Sequence, residues 1–418
     1  MKKIVIIGGG AAGLMAAVSA AKELGNKPYS ITVVEKNSRP ARKVMITGKG
    51  RCNVTNNCDM NALIANTPKN GKFLYSAFNN FNSQDTMQFF ETQGVPLKTE
   101  RGNRVFPVSD RSVDIVDALV KSVQKNCNIT EGTAEAILAP NGKVTAVKLA
   151  DNRILDADSV ILATGGMSYP TTGSTGDGYK MAKMLGHTVM SLTPSLVGLE
   201  CHEGFCTRLA GLSLKNVTLS VFESGKKKPL YKEMGEMLFT HTGISGPLTL
   251  SASAHIRHMG KKEYSAEIDL KPALDEMQLD KRLLRDFEES LNRDFANSLD
   301  KLLPKSIISV IINMSGIPPH TKVNQISREQ RQSLINAIKH FKLNVTGFRP
   351  IEEAIITSGG ICVKEIDPAT MMSKLVDGLF FAGEIIDVDA YTGGFNLQIA
   401  FSTGVLAGEN AAKYERNL

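Results

Sequence analysis

The sequence contains no tryptophan, and aromatic residues make up only 6% of its 418 residues. Proteins that bind single-stranded nucleic acid stack bases on aromatic side chains set among basic ones, and no such stripe is present. The net charge of +7 is mild and spread out, so it permits contact with an anion without requiring it. We therefore expect a small-molecule substrate and no nucleic acid partner.

Long apolar runs are also missing. No stretch approaches the ~18 uncharged apolar residues of a membrane span, so we expect no membrane association. The apolar N-terminal run is interrupted by glycines, which argues against a secretory signal. The six cysteines show neither a disulfide framework nor C-x-x-C spacing. These absences predict a cytoplasmic protein without a metal site.

A strand–glycine–helix pattern opens the chain. Residues 4–7 form an unbroken apolar run, as in a parallel strand buried on both faces. Gly8, Gly10 and Gly13 follow with the spacing G-x-G-x-x-G, and a helix begins within the motif. The first glycine allows the turn, the second lets a pyrophosphate approach the backbone, and the third lets helix and strand pack closely. The helix N-terminus would receive the phosphates.

A second strand, residues 31–35, ends in an acid. Glu35 lies 22 residues after Gly13, close to the ~20 expected for the group that binds a ribose hydroxyl. A carboxylate at this position accepts hydrogen bonds from a free 2′-hydroxyl and repels a 2′-phosphate. The loop that follows, residues 39–56, is basic and contains glycine, so we expect it to run along an anionic dinucleotide.

The nucleotide-binding pattern is split along the chain. A meander at residues 133–155 contains Asn141-Gly142, a strong hairpin signal. Strand-like alternation after residue 190 gives way to helical patterns after residue 272. We predict an α/β fold with a parallel sheet and a small antiparallel meander, interrupted by an inserted β-barrel-like and helical region. The predicted domains are 1–190 with 350–418 (nucleotide-binding), 191–272 (β-rich) and 273–349 (helical).

Three buried strands end in glycine, at Gly8, Gly165 and Gly383. Parallel strands place their carboxyl ends at one edge of the sheet, where ligands bind. A last helix opens at Gly394, and its amide end would suit the partial negative charge of a reduced flavin. One extended FAD could therefore place its diphosphate at the first glycine turn, a ribose at Glu35 and its flavin near the last helix.

These motifs carry a resemblance to known flavoproteins. The glycine-rich start with Glu35, the strand ends at 163–166 and 381–384, and residues 175–178 resemble the FAD-dependent glutathione-reductase and fumarate-reductase/aspartate-oxidase superfamily. No histidine precedes His187, so covalent attachment of FAD through the histidine that some members use is excluded. No second G-x-G-x-x-G is present, so NAD(P)H would bind only transiently at the flavin face, as an electron donor.

Three longer stretches narrow the resemblance. Residues 47–56, 239–247 and 393–398 are similar to the HI0933-like (YhiN-type, aminoacetone oxidase family) bacterial flavoproteins, and the resemblance covers essentially the whole chain. It implies noncovalent FAD and an FAD-dependent oxidoreductase that transfers a hydride between FAD and a small organic substrate. Members are associated with amine oxidation and with reduction of steroid enones, so both branches stay open.

The patterns and the resemblance together predict which residues contact FAD. Ala134 is included because the resemblance implies an adenine contact at the start of the meander. The predicted residues are Gly8, Gly10, Ala12, Gly13, Glu35, Lys36, Arg42, Lys43, Gly50, Asn53, Ala134, Thr164, Gly165, Gly383, Glu384, Gly394, Asn396 and Leu397.

Two residues are candidates for catalysis. The imidazole of His241, within the 239–247 stretch, could act as acid or base near neutral pH, or could simply support its loop. Tyr391 precedes the last helix and could donate to a substrate oxygen or pack on the flavin edge. The sequence does not indicate an oligomeric state.

A second hypothesis is an RNA-associated flavoprotein, resembling FAD-dependent tRNA-modifying proteins. The mild basic balance and the turn Lys226-Lys227-Lys228 favour it. The missing stripe of basic and aromatic residues opposes it.

Overall fold

The strands and helices follow the chain in an order that mixes α/β and all-β segments. The computed structural model describes residues 1–289 and 291–415. In chain order, its strands are β1 (Lys2–Ile7), β2 (Tyr29–Glu35), β3 (Thr55–Asn56), β4 (Leu97–Glu100), β5 (Arg104–Pro107), β6 (Asn128–Glu131), β7 (Ala134–Leu138), β8 (Ala146–Leu149), β9 (Ile154–Asp156), β10 (Ser159–Leu162), β11 (Val189–Ser195), β12 (Leu199–Cys201), β13 (Ser213–Glu223), β14 (Tyr231–Thr240), β15 (Gly243–Ser245), β16 (Tyr264–Asp269), β17 (Phe341–Phe348), β18 (Ile356–Ile361) and β19 (Leu379–Phe381).

Helices connect most of these strands. The α-helices are α1 (Ala11–Leu24), α2 (Arg42–Ile46), α3 (Met60–Ala65), α4 (Tyr75–Asn80), α5 (Ser83–Thr92), α6 (Ser112–Gln124), α7 (Asp177–Met184), α8 (Phe205–Leu209), α9 (Pro247–Ser253), α10 (Glu276–Glu288), α11 (Lys305–Ser315), α12 (Arg328–Lys339) and α13 (Phe395–Lys413). Within the two described ranges, no helix combines the length and apolar character that crossing a bilayer requires.

The parallel sheet is built around the N-terminal strand. Its order is β19-β10-β1-β2-β6, and each neighbouring pair is parallel. All four residues of the apolar run 4–7 are buried, as expected of a strand covered on both faces. Because these strands are parallel, the carboxyl ends of β1, β10 and β19 lie at one edge, although β19 comes from the far end of the chain.

The first and last long helices pack directly on each other. A Cβ added to Gly404 would lie 2.4 Å from the carbonyl oxygen of Ala12, and one added to Gly408 would lie 2.3 Å from that of Ala16. Atoms do not pack at such distances, so only glycine permits this spacing between α1 and α13. The contact fixes the start of α1 relative to the start of α13.

Smaller antiparallel sheets flank this core. The predicted meander is present as β7-β8-β9, and Asn141 in its turn takes a left-handed backbone conformation with φ +56°. The sheets β3-β5-β4 and β11-β18 complete the set around the parallel sheet. The predicted α/β fold class is therefore confirmed.

A six-stranded closed barrel forms the centre of the stretch Leu196–Pro350, which is a compact unit of its own. Its strand order is β12-β15-β14-β13-β16-β17. Alternate residues of β16 (Tyr264, Ala266 and Ile268) are buried, the period-two pattern of a barrel wall. Helices α10, α11 and α12 lie between β16 and β17 in the chain and share the barrel's apolar core.

The second compact unit combines Met1–Ser195 with Ile351–Leu418 and has its own apolar core. The predicted three-domain division stays a prediction. One stretch within it needs correction: Phe341–Phe348, predicted as part of a helical region, is a barrel strand. Its residues alternate between buried and exposed, a period of two that a helix does not produce.

Candidate functional site

A cavity opens at the carboxyl ends of β1, β2, β10 and β19, the edge where ligands bind in sheets of this kind. Residues from both ends of the chain line it. Four predicted residues are not part of its wall: Gly13, Gly50, Asn53 and Gly394. The predicted cofactor residues that do line it are Gly8, Gly10, Ala12, Glu35, Lys36, Arg42, Lys43, Ala134, Thr164, Gly165, Gly383, Glu384, Asn396 and Leu397.

Each of the three motif glycines has the role that its position in the motif predicts. Gly8 has φ +106°, and an added Cβ would lie 2.5 Å from the carbonyl oxygen of Ala163. An added Cβ on Gly13 would lie 1.9 Å from the carbonyl oxygen of Gly8, so this residue serves helix–strand packing. Gly10 has no atom within 4 Å of such a Cβ. The backbone at the start of α1 is therefore open to an anion.

Glu35 is fixed at the end of β2 by donors on both of its oxygens. Oε2 accepts the backbone N–H of Gly9 at 2.8 Å, and Oε1 accepts the backbone N–H of Asn37 at 2.9 Å and its side-chain amide at 2.6 Å. The guanidinium of Arg42 donates to Asn37 Oδ1 at 3.0 Å. Oε1 thus accepts two hydrogen bonds and Oε2 only one, so Oε2 can still accept from a ribose hydroxyl.

The two predicted lysines are both paired with carboxylates on the cavity wall. Lys36 Nζ lies 2.7 Å from Asp177 Oδ2, and Lys43 Nζ lies 2.7 Å from Glu384 Oε2. Burial alone would raise the pKa of Asp177, but hydrogen bonds from Lys36 and Thr175 bring that pKa below its ordinary value. The lysines therefore hold these acids in place.

Hydrogen bonds from two further residues fix the side chain of Glu384. Its Oε1 accepts the backbone N–H of Thr357 at 2.8 Å and the hydroxyl of Ser168 at 3.2 Å. The preceding Gly383 has φ +78°, and an added Cβ would lie 2.8 Å from the Cβ of Ala12. Glycine at this position therefore lets β19 end close against α1, which brings Glu384 into the cavity wall.

The basic loop follows the cavity for only part of its length. Thr47 lines the cavity, and the next two residues, Gly48 and Lys49, take left-handed backbone conformations that turn the chain. Gly50 and Asn53 lie beyond this turn, and their contact with FAD stays a prediction. The side-chain oxygen of Asn53 is buried without a hydrogen-bond partner in the described residues.

The start of α13 is shaped by close backbone contact. Gly394 has φ +100°, and an added Cβ would lie 2.3 Å from the carbonyl oxygen of Thr55, so its glycine serves packing. Asn396 Nδ2 donates to the carbonyl oxygens of Ala390 at 2.8 Å and Tyr391 at 3.2 Å. The backbone N–H of Ala390 donates in turn to Asn396 Oδ1 at 3.0 Å. Asn396 thereby fixes the backbone of the loop that leads into the helix.

The two candidate catalytic residues belong to different compact units. His241 is exposed in the turn between β14 and β15, where its carbonyl oxygen accepts the hydroxyl of Thr207 at 2.9 Å. Tyr391 lies in the other unit, and its backbone N–H donates to the carbonyl oxygen of Asn66 at 3.0 Å. A catalytic role for either residue stays a prediction. Among the described residues, no group of His, Cys, Asp and Glu is placed to hold a metal ion.

The cavity residues fit a dinucleotide cofactor. The open backbone at Gly10 suits a diphosphate, and Glu35 suits a ribose. The hydroxyl of Thr164, a wall residue, has no hydrogen-bond partner in the part of the chain that the structure describes, but it is buried against Gly178, where an added Cβ would lie 2.0 Å from it. The fit to a dinucleotide therefore depends on Gly10 and Glu35.

Comparison with known proteins agrees with this site. A family model described as the HI0933-like protein Rossmann domain matches residues 2–410. The chain belongs to the HI0933-like family. It is 30% identical over 417 residues to a 3-dehydro-bile acid delta(4,6)-reductase of Clostridium scindens, covering 99% of this chain and all of that protein. It is 31% identical over 410 residues to a ribosomal RNA dihydrouridine synthase of Haemophilus influenzae, covering 96% of each.

Solved structures show the same fold at low identity. The 3-ketosteroid delta1-dehydrogenase of Sterolibacterium denitrificans aligns with a TM-score of 0.52 and 12% identity, over 99% of this chain and all of that one. The family and its reductase relative make this HI0933-like protein an FAD-dependent oxidoreductase.

Several wall residues of this HI0933-like protein were not predicted. Asn37, two residues after Glu35, could have been found from its position beside the ribose-binding acid. Asp177 lies in the 175–178 stretch that carries part of the resemblance, but its pairing with Lys36 depends on the fold. Ile356 and Val388 carry no sequence signal, because apolar wall residues look like any buried residue.

Proposed function

We propose that this flavoenzyme reduces a carbon–carbon double bond conjugated to a carbonyl group. One observation carries the proposal: the two relatives described above, each matched over 96% or more of its length, have names that describe this chemistry. A delta(4,6)-reductase of a 3-oxo bile acid and a synthase of dihydrouridine each saturate a bond that a neighbouring carbonyl polarises. Our proposal for this chain takes over the type of bond that both relatives reduce, and neither of their substrates.

The residues of the site have distinct roles in the proposed reaction. Glu35 orients the adenosine ribose, the start of α1 binds the diphosphate, and Asn396 fixes the loop beside the flavin end of the cavity. Bound FAD, once reduced, supplies the hydride. Saturation also needs a proton on the carbon next to the carbonyl, and the Tyr391 hydroxyl is our candidate donor.

The proposal includes three further points: noncovalent FAD, NAD(P)H as the transient electron donor, and a cytoplasmic location. Amine oxidation is the competing branch and predicts release of peroxide in place of uptake of electrons from NAD(P)H. A cytoplasmic location agrees with the six cysteines, all of which are free thiols.

Anaerobic stopped-flow spectroscopy tests the reaction. The FAD-loaded protein is first mixed with NADH or NADPH, and loss of the flavin absorption band is expected. The reduced protein is then mixed with a steroid 4,6-dien-3-one, and the band is expected to return without oxygen. A band that stays bleached with this ketone and with uridine-containing RNA contradicts the proposal. In a separate assay with oxygen, peroxide release from an amine would instead support the oxidase branch.

A matched pair of variants tests the proton donor. Tyr391→Phe removes only the hydroxyl, so FAD content should stay unchanged while return of the band slows about 100-fold or more, the typical contribution of general acid catalysis. Tyr75→Phe, at an exposed tyrosine, is the control. Equal rates for the two variants would show that Tyr391 is not the proton donor. The proposed reduction would still stand.

Uridine in RNA is the second candidate substrate. The relative named as a ribosomal RNA dihydrouridine synthase favours it. The charge distribution agrees, because Leu196–Pro350 holds 22 Lys and Arg against 17 Asp and Glu, or +5 of the chain's +7. Liquid chromatography with mass spectrometry of digested RNA after turnover checks it, with dihydrouridine as the expected product.

A further inference from the structure

Two basic loops meet beside one pair of barrel strands. The first is the β13–β14 turn, residues 224–230, which contains Lys226, Lys227 and Lys228. The second leads into β16, residues 257–263, and contains Arg257, Lys261 and Lys262. We call these six cations the basic face. They are about 30 residues apart in sequence, so only the fold brings them together.

Three contacts hold the two loops side by side. The backbone N–H of Ser224 donates to the carbonyl oxygen of Glu263 at 2.9 Å. Glu223 binds one lysine from each loop, with Oε1 at 3.1 Å from Lys226 Nζ and 2.7 Å from Lys262 Nζ. The hydrogen bond from Lys262 is the largest of the causes that lower the pKa of Glu223. Glu223 is therefore ionised at neutral pH, and it fixes the spacing of the loops.

The remaining lysines project positive charge that the loops do not neutralise. Lys227, Lys228 and Lys261 are exposed, and none has an ion pair or side-chain hydrogen bond with another described residue. The acid in the two loops is Glu263, and Glu223, at the end of β13 beside them, is already shared by two lysines. Like charges repel one another, so a surface of this kind is stabilised by a polyanion.

We infer that the basic face is a docking surface for the phosphate backbone of an RNA substrate. The inference rests on the proposed function with uridine in RNA as its substrate. Phosphate contacts from lysine position a nucleic acid without reading its sequence. The reduced base would be read elsewhere, so the basic face needs no aromatic side chains. An anionic membrane is the competing partner, but the two loops expose no large apolar side chain among the described residues that could enter a bilayer.

The test compares two triple variants of the full-length, FAD-loaded protein. Lys227→Gln/Lys228→Gln/Lys261→Gln removes three charges from the basic face. The control, Lys281→Gln/Lys305→Gln/Lys342→Gln, removes three exposed charges elsewhere in the same compact unit. Both variants therefore change the net charge equally. Binding of fluorescein-labelled ribosomal RNA is followed by anisotropy over a range of salt concentrations.

We expect at least a tenfold loss of affinity for the basic-face variant. The slope of log K against log salt should fall by about 2, since each lost phosphate contact removes roughly 0.7–0.9. The control should change neither. Equal weakening by both variants, or by neither, overturns the inference. So does a basic-face variant that loses binding to phosphatidylglycerol vesicles but retains RNA.

Activity separates this inference from the proposed function. Reduction of a steroid dienone should be the same in the wild type and in both triple variants. If the wild type reduces the dienone but neither binds nor modifies RNA, the docking inference fails and the reductase proposal stands. If it reduces neither substrate, the proposed function itself fails.

Discussion

At the scale of single residues, the cavity wall contains carboxylates whose side chains are fixed by several donors. Glu35 has donors on both oxygens, and Glu384 accepts from Lys43, Ser168 and Thr357. A carboxylate fixed in this way loses little conformational entropy when it binds a ligand, because its rotamer is already set.

Glu35→Gln should weaken FAD binding. Glutamine offers one acceptor oxygen in place of two. Either the Gly9 or the Asn37 donor therefore loses its acceptor, and so does the ribose hydroxyl. A hydrogen bond to a charged group is worth about 1.5–3 kcal/mol, so the Kd for FAD should rise about 10- to 100-fold. Quenching of flavin fluorescence measures it. Glu131→Gln, at the exposed acid in register with Glu35 on β6, should bind FAD normally.

His187 should make stability depend on pH. Its side chain is buried, with Nδ1 3.2 Å from Glu365 Oε2 and Nε2 2.9 Å from Ser373 Oγ. Burial lowers its pKa, although Glu365 opposes the shift. Below the ordinary histidine value of ~6.5, the unfolded chain therefore binds a proton that the folded chain does not. The free energy of unfolding should fall as the pH drops from about 7 to about 5.

Urea unfolding followed by circular dichroism at several pH values checks this dependence. In His187→Gln the slope between these pH values should be smaller than in the wild type. His241→Gln replaces an exposed histidine and should keep the wild-type slope. A wild-type slope in the His187 variant would show that other groups cause the loss.

At the scale of elements, the contact between α1 and α13 organises the site. Both helices begin at the cavity, and both begin with glycine at the N-cap, Gly10 and Gly394. Gly404 and Gly408 let α13 approach the carbonyl oxygens of α1. A wider spacing would separate Gly10 from Asn396 and Leu397, which line the same cavity. Gly404 and Gly408 therefore support the cavity, although they do not line it.

Gly408→Ala should be destabilising, against the usual preference for alanine in helices. Alanine favours a helix over glycine by about 1 kcal/mol, but here its methyl carbon would lie 2.3 Å from the Ala16 carbonyl oxygen. Overpacking of this kind costs about 1–3 kcal/mol. Thermal unfolding with and without FAD measures the effect, and the bound state should lose more. Glu409→Ala on the same helix should change the transition little. A stabilised Gly408→Ala variant would refute the close contact.

At the scale of the whole molecule, one compact unit is assembled from the two ends of the chain. Met1–Ser195 and Ile351–Leu418 share a sheet, a core and the cofactor cavity. The stretch between them has its own barrel, core and excess of positive charge. In our proposals, the first unit supplies the cofactor chemistry and the second supplies RNA docking.

Hydrogen exchange followed by mass spectrometry tests the shared cavity. FAD should slow exchange at residues 8–14 and 35–44, and also at 163–178 and 383–400, because one ligand contacts segments from both ends of the chain. Peptides from α6, which does not line the cavity, serve as the control. Protection limited to the first two segments would mean that the ligand does not reach the last helix.

The local patterns in the sequence determined much of this protein. The glycine spacing, Glu35 and the apolar strands predicted the parallel sheet, the turn and most of the cavity wall, because short-range sterics and period set those features. The motifs at 47–56, 239–247 and 393–398 also identified the family and its cofactor.

Only the tertiary structure decided which distant residues meet. It placed Phe341–Phe348 in the barrel, left Gly50 and Asn53 out of the cavity wall, and paired Lys36 with Asp177. It also joined the two loops of the basic face, whose charges look dispersed in the sequence. Such pairings depend on long-range packing, since no local pattern specifies which partner a side chain meets across a fold.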